Sequence, residues 1–445
     1  MRIALLLLLG AAEIFGTGLR AGAARVDITP EGPIWMSGYA SRNHPSTGIR
    51  QHLFARALVV DDGASARLAI VSTDLVGLPP GVAEEVATQA QRQFGIARNR
   101  LLLNSSHTHT GPLIWPGLAA MFTGSEGEEQ KLHEYAARLV NQLVVVVGKA
   151  FEDLAPAQMA FGFGQAGFAM NRREPTPNGV KLGINPSGPT DHEVPVIRVT
   201  GADGRIRAIV FAYACHNTTL NGDFYEITGD YAGYAEAALE ADYPGASALF
   251  LELCAGDQNP NPRGTVDLAE RHGRDLAAEV QRVLGGSLRQ LRPPVRTAWA
   301  TTTLPFAPQS PTTFETDLAN PKASAAVKQR ARRMLDFPIT ATPYAVQAIR
   351  FGKDLTLLAL SGEVVVDYDL RVKREYPSEP LIVAGYSNGV MCYVPTERVL
   401  SEGGYEAVDS MIYYGMPGPF QPGVESRVFA VIRQAMKQVG RKPGR

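Results

Sequence analysis

Residues 101–112 read LLLNSSHTHTGP. Three leucines give way to small polar residues, and two histidines follow at alternate positions, His107 and His109. Alternate side chains of an extended backbone point the same way, so both imidazoles are expected to face one cleft. An apolar strand carrying polar groups at its C-terminal end is how open α/β sheets commonly build a site.

The flanking sequence supports that placement. Upstream, ALVV (57–60), Asp61-Asp62-Gly63 and RLAIVST (67–73) read as a hairpin with an Asp-Gly turn. Asp74 ends its second strand. A helix is expected over 81–94, with Val82, Val86 and Ala90 on one face and a stop at Gly95. Strand, helix and the 101 strand make a βαβ unit, hence a parallel pair.

The same alternation continues downstream. Helices are expected over 128–151, 230–241, 266–284 and 424–436. Strands are expected over 24–28, 158–163, 248–253, 345–351, 355–360 and 381–384, and a hairpin pairs 194–200 with 205–214. Pro293-Pro294 and the proline-rich 304–312 are read as breaks marking a subdomain joint. The fold class is therefore α/β, with mixed sheets and flanking helices in a single catalytic domain over 21–445.

Composition narrows the function. The 445 residues are 45% hydrophobic and 20% charged with a net charge of -1, ordinary for a globular protein and without an electrostatic footprint for nucleic acid. Residues 1–20 combine Arg2, an apolar run and small residues, as a signal peptide does, so a secreted or periplasmic location is expected. Three cysteines, Cys215, Cys254 and Cys392, are too few for a disulfide scaffold and are read as small buried apolar residues. His44, His52, His133 and His272 are read as surface residues.

Polar groups able to do chemistry recur just after apolar strands: Asp74, His107, His109, His216, Asp257, Glu363 and Tyr393. Two histidines with a glutamate form a known catalytic zinc set, in which one position stays open to water. The separations are long, so spacing alone does not bring these residues together.

The chain resembles the neutral/alkaline non-lysosomal ceramidases. HTHTGP (107–112) is similar to their HTHSGP, and VDITP (26–30), GYA (38–40) and Asn171-Arg172 match further segments in order. His216, Gly229-Asp230 with GYA (233–235 reading GYA), Gly256-Asp257 with Pro260-Asn261, Gly362-Glu363, and Ser387-Asn388 with Tyr393 continue the series. The resemblance implies the ceramidase catalytic fold and a zinc ion held by His107, His216, Glu363 and Tyr393. It implies that His109 and Arg172 bind and polarise the substrate carbonyl, with Asp257 and Asn259 on the substrate. A supporting role for His107 is the other reading of His109.

The implied reaction is hydrolysis of an N-acyl amide, ceramide-like or other, by a zinc-bound hydroxide. Its substrate is a small molecule or lipid, and a lipid would bring peripheral membrane contact. Two features set this chain apart. Asn259 stands where the family loop has serine, and from the extent of the sequence up to Arg445 the family's C-terminal immunoglobulin-like domain is expected to be lacking. Fold and metal are thus expected to carry over further than ceramide itself. A zinc hydrolase of another amide or ester, and a non-catalytic zinc- or lipid-binding relative, are the alternatives.

Overall fold

The computed structural model describes residues 18–64 and 67–444. The leader read over 1–20 falls, up to residue 17, outside the described residues, and the first strand begins at Arg20. Among the described residues, a nine-stranded and a four-stranded sheet dominate. The larger runs Ser247–Glu252, Ile206–Tyr213, Glu193–Gly201, Ala155–Gln165, Arg20–Asp27, Phe54–Asp61, Leu68–Thr73, Leu101–Ser105, with Arg289–Leu291 added beside Ala155–Gln165. The smaller runs Val295–Pro305, Ala341–Phe351, Leu355–Leu360, Leu381–Ala384. Apolar side chains of both sheets, among them Leu58, Leu102 and Val210 from the first and Ile349, Leu357 and Ile382 from the second, form one core between them.

Helices cover the outer faces. Pro80–Phe94 and Glu126–Glu152 pack over one half of the large sheet, and Asp230–Asp242 and Val266–Leu284 over the other. Val424–Gln438 and Asp367–Glu375 cover the small sheet. Local chemistry sets their ends. Gly95 closes the first helix at φ 67°, a left-handed conformation that glycine adopts without penalty. Ser125 and Glu128 form a reciprocal capping box, so the second helix starts before residue 128.

The Asp-Gly hairpin and the βαβ unit are present at the expected positions. The proline-rich 304–312 is not a simple break. Val295–Pro305 pairs along its whole length with Ala341–Phe351, and Pro311 opens a helix whose N-cap is Ser310. Proline suits a helix's first turn, where its missing N–H is not needed. Pro293-Pro294 does precede the first strand of the second sheet. The three cysteines are buried and unbridged. His272, expected at the surface, is buried, stacks on Phe168 and meets the Pro262 carbonyl at 2.8 Å.

Three parallel pairs position the site. Leu68–Thr73 pairs with Leu101–Ser105, Ile206–Tyr213 with Ser247–Glu252, and Leu355–Leu360 with Leu381–Ala384. Asn104, fully buried in LLLNSS, ties all three together. Its Oδ1 accepts from Glu252 N at 2.8 Å, and its Nδ2 donates to Glu252 O (3.2 Å), Gly385 O (2.9 Å) and Ser387 Oγ (3.1 Å). The C-terminal ends of the pairs therefore open into one cleft.

Candidate metal centre

His107 follows the Leu101–Ser105 strand, but not in extended backbone. Its φ is 64°, a left-handed conformation costing a non-glycine residue about 1–3 kcal/mol. The alternation argument therefore fails in its reason, although the His107 and His109 rings do converge, with centroids 4.7 Å apart. The His107 amide donates to Leu75 O at 2.8 Å, and the His109 amide to Asn217 O at 3.2 Å. His216 follows the Ile206–Tyr213 strand and Glu363 the Leu355–Leu360 strand. Glu363–Val364 and Tyr393–Val394 pair in parallel, which sets Tyr393 beside Glu363.

Four acceptor atoms meet there. His107 Nε2 and His216 Nε2 lie 3.0 Å and 3.3 Å from Glu363 Oε2, and His216 Nε2 lies 3.1 Å from the Tyr393 hydroxyl. His107 Nδ1 donates to Val76 O at 2.5 Å, and His216 Nδ1 to Ala255 O at 2.8 Å. A carbonyl only accepts, so each Nδ1 carries a proton and each Nε2 is the atom turned to the carboxylate, with its lone pair toward it in the neutral tautomer. Burial, with Arg172 and His107 adding to it, lowers His216 to about 3, so protonation does not relieve the contact at neutral pH. Lone pairs facing a carboxylate at 3 Å call for a cation between them.

The spacing fits zinc. Bonds of about 2.0–2.1 Å in a tetrahedron separate ligand atoms by about 3.3–3.4 Å, close to the separations seen. Burial keeps the Tyr393 phenol well above its ordinary range even though Arg172 Nη2 donates to it at 3.0 Å. A phenolate there needs a further positive charge nearby. Tyr414 donates to Glu363 Oε1, leaving Oε2 toward the histidines. Donors of this kind around the ligand carboxylate fix its orientation.

His109 sets Nε2 3.0 Å from His107 Nε2 and leaves Nδ1 buried without a partner. Its ring packs edge-on to Tyr39 and against Gly38, whose φ is +90°. Burial and the neighbouring histidines push its pKa well below 6.5, so it is neutral. The ring nitrogens of His107, His109 and His216 all lie within 4.8 Å of one another. Arg172, from the loop after Ala169–Asn171, is held at three points: Glu406 Oε1 (2.8 Å), Asn259 Oδ1 (3.2 Å) and Tyr393. Glu406 also accepts from Arg173, so one buried carboxylate serves two arginines.

Asn259 Oδ1 accepts from Arg172 and from Thr218 Oγ1 at 3.3 Å, which turns its Nδ2 the other way. Asp257 is placed differently from the substrate contact expected of it. Its carboxylate is fully buried and accepts from Val366 N (2.8 Å) and Asn171 Nδ2 (3.1 Å), bracing the loops beneath the site. Asp74 turns to Phe54 N and to the buried Arg56. Asn104, Glu406, Tyr414 and Tyr386, whose hydroxyl lies 3.4 Å from Glu363 Oε2, are not among the residues expected from the sequence. Glu406 and Tyr414 lie away from any strand end and carry no local pattern, whereas Asn104 lies within LLLNSS and Tyr386 just after the Leu381–Ala384 strand, beside Ser387-Asn388.

Comparisons with known proteins place the chain in a family. The family described as neutral/alkaline non-lysosomal ceramidase, N-terminal, matches residues 19–275. The neutral ceramidase of Pseudomonas aeruginosa is 27% identical over 256 residues, 54% of this chain and 37% of that protein. That of Mycobacterium tuberculosis is 27% identical over 268 residues, 55% of this chain and 41% of that protein. The matched region thus spans about two-fifths of those relatives. The crystal structure of neutral ceramidase from Pseudomonas aeruginosa superposes with a TM-score of 0.73 at 20% identity, covering 95% of this chain and 75% of that one. A ceramidase complexed with C2 gives 0.72 at 19%, covering 92% and 73%. The fold likeness therefore extends past residue 275 into the sheet that delivers Glu363 and Tyr393. This chain belongs to the neutral/alkaline non-lysosomal ceramidase family.

Proposed function

We propose that the chain is a zinc-dependent amidohydrolase of N-acyl amides, with His107, His216, Glu363 and Tyr393 holding the ion. The observation that carries this reading is the meeting of two Nε2 lone pairs, a carboxylate and a phenol within 3.0–3.3 Å. Zinc at such a site supplies a water activated at neutral pH and a Lewis acid for the carbonyl. Arg172, permanently charged and clamped by Glu406, polarises the scissile carbonyl. Neutral His109 would accept the proton that the attacking water loses and pass it to the amine as the C–N bond breaks. Asn259 has no nucleophilic oxygen, so the attacking atom is water's and no acyl group is transferred to this side chain.

An apolar groove of about 410 Å³ adjoins the centre, lined by Leu118, Ile339, Val390, Met391, Tyr414 and Met416 among others. Tyr414, the donor to Glu363, is one of its walls. That size and lining suit an acyl chain. Lipid amides are the favoured substrates for this reason, and the membrane contact and exported location expected from the sequence accord with them. The test is a panel of N-acyl amides of increasing chain length, assayed with metal analysis. Turnover that rises with chain length and is lost with zinc in His216→Ala supports the reading. Stoichiometric zinc with no turnover on any member would favour a non-catalytic relative.

A further inference from the structure

The strands Val295–Pro305 and Ala341–Phe351 are joined by an excursion of two helices, Pro311–Ala319 and Ala325–Asp336. Phe314, Ala331 and Met334 form its small core. The second helix packs on the turn Ala119–Met121, and Gln329, Arg330 and Arg333 from it line the apolar groove. The excursion therefore forms part of the groove's rim.

Its outer side has an unusual composition. From Pro311 to Phe337 the sequence carries Lys322, Lys328, Arg330, Arg332 and Arg333 against Glu315, Asp317 and Asp336, in a chain of net charge -1. Arg330 pairs with Asp317 at 2.7 Å. Among the described residues, Lys322, Lys328, Arg332 and Arg333 have no acidic partner within 4 Å. Phe337, whose amide closes the helix on Arg333 O, is 75% exposed, and Pro338 beside it is exposed too. A large aromatic ring in water next to unpaired cations is the composition of elements that lie in a lipid interface. Among the described residues no helix is long and apolar enough to cross a membrane.

We propose that this excursion docks the protein on an anionic lipid surface. Phe337 enters the interface, and Lys322, Lys328 and Arg332 face the headgroups. Docking sets the groove mouth against the bilayer, so that an acyl amide passes from lipid to the centre. The inference deepens the lipid-amide reading and rests on it for its purpose, but it is measured separately.

Full-length protein is sedimented with phosphatidylcholine vesicles, with and without phosphatidylglycerol. Each cation near an anionic surface is worth roughly fivefold in partitioning, so Lys328→Glu with Arg332→Glu lowers binding by at least about 25-fold. Phe337→Ala weakens binding as well. None of these three side chains lines the groove, so hydrolysis of a water-soluble short-chain amide is unchanged and shows that the variants are folded. Binding that ignores anionic lipid, variants that bind like the parent, or capture of monomeric laurate without any vesicle binding would each overturn the proposal. Intact vesicle binding without turnover of any amide overturns the hydrolase reading instead.

Discussion

Gly38→Ala separates the two histidines of HTHTGP by a change that touches neither. A methyl group at Gly38 would stand 2.4 Å from His109 Cγ and 2.5 Å from its Nδ1. Ordinary contact begins near 3.4 Å, so the imidazole must retreat by about 1 Å. The backbone φ of +90° adds strain of roughly 1–3 kcal/mol, a modest loss for a chain of this size. Displacing a catalytic group by that distance lowers kcat on the order of 100-fold. His107 is fixed from elsewhere, by its own amide on Leu75 O and its Nδ1 on Val76 O, so zinc is retained. The assay is paired: metal content by elemental analysis, and steady-state hydrolysis of an acyl amide. His109→Ala serves as the reference. If Gly38→Ala and His109→Ala lose zinc as fully as His216→Ala does, His109 is a ligand and the division of roles proposed here is refuted.

Three further substitutions probe what surrounds the centre. Glu406→Gln leaves one of two buried arginines without its carboxylate oxygen, which costs about 3–5 kcal/mol in denaturant unfolding and lowers kcat more than it changes KM. Asn104→Ala removes the partner of the Glu252 amide and the Asn104 bonds to the Glu252 and Gly385 carbonyls, the latter keeping its bond from Ser387 Oγ; an unpaired buried amide costs about 1–3 kcal/mol, and a fall in melting temperature without relocation of the proposed zinc ligands is expected. Burial raises Asp257 from 3.8 to about 7, so the folded state keeps a proton that the unfolded state releases. The stability this group contributes is full below pH 3.8 and lost as pH rises through 7, by about 4 kcal/mol. Asp257→Asn should therefore cost least at pH 8 and most at pH 4, and a difference that is flat with pH would refute the assignment.

The scaffold was legible because its signals are local. The Asp-Gly turn at 62–63, Gly95 after a spaced apolar face, and valine- and leucine-rich runs each fix a short stretch of backbone, and helix Val266–Leu284 falls where its periodicity places it. The convergence of His107, His216, Glu363 and Tyr393 was legible only through the ordered family motifs, since the contacts of the two histidines with Glu363 and Tyr393 span 147 to 256 residues and leave no periodic trace. What stayed hidden depends on tertiary context. Asn104 reads as the polar end of a strand until three strand ends are seen to close on it. His272 sits on a helix with charged neighbours, and only packing against Phe168 shows that its face is buried. Glu406 and Tyr414 come from the irregular segment after Glu397–Glu402, where nothing in spacing or propensity announces a partner. Asp257 shares its loop with Asn259, yet the turn sends the two side chains opposite ways.

The central claim is a single zinc ion between the three parallel strand pairs. X-ray absorption at the zinc edge on the purified, zinc-loaded protein tests it most directly, with Glu363→Gln measured alongside. The account predicts stoichiometric zinc with nitrogen and oxygen neighbours at about 2.0–2.1 Å and an imidazole signal from two histidines, weakened binding in Glu363→Gln, and no sulfur. Sulfur ligation, substoichiometric metal in the parent, or an unchanged spectrum in Glu363→Gln would contradict it.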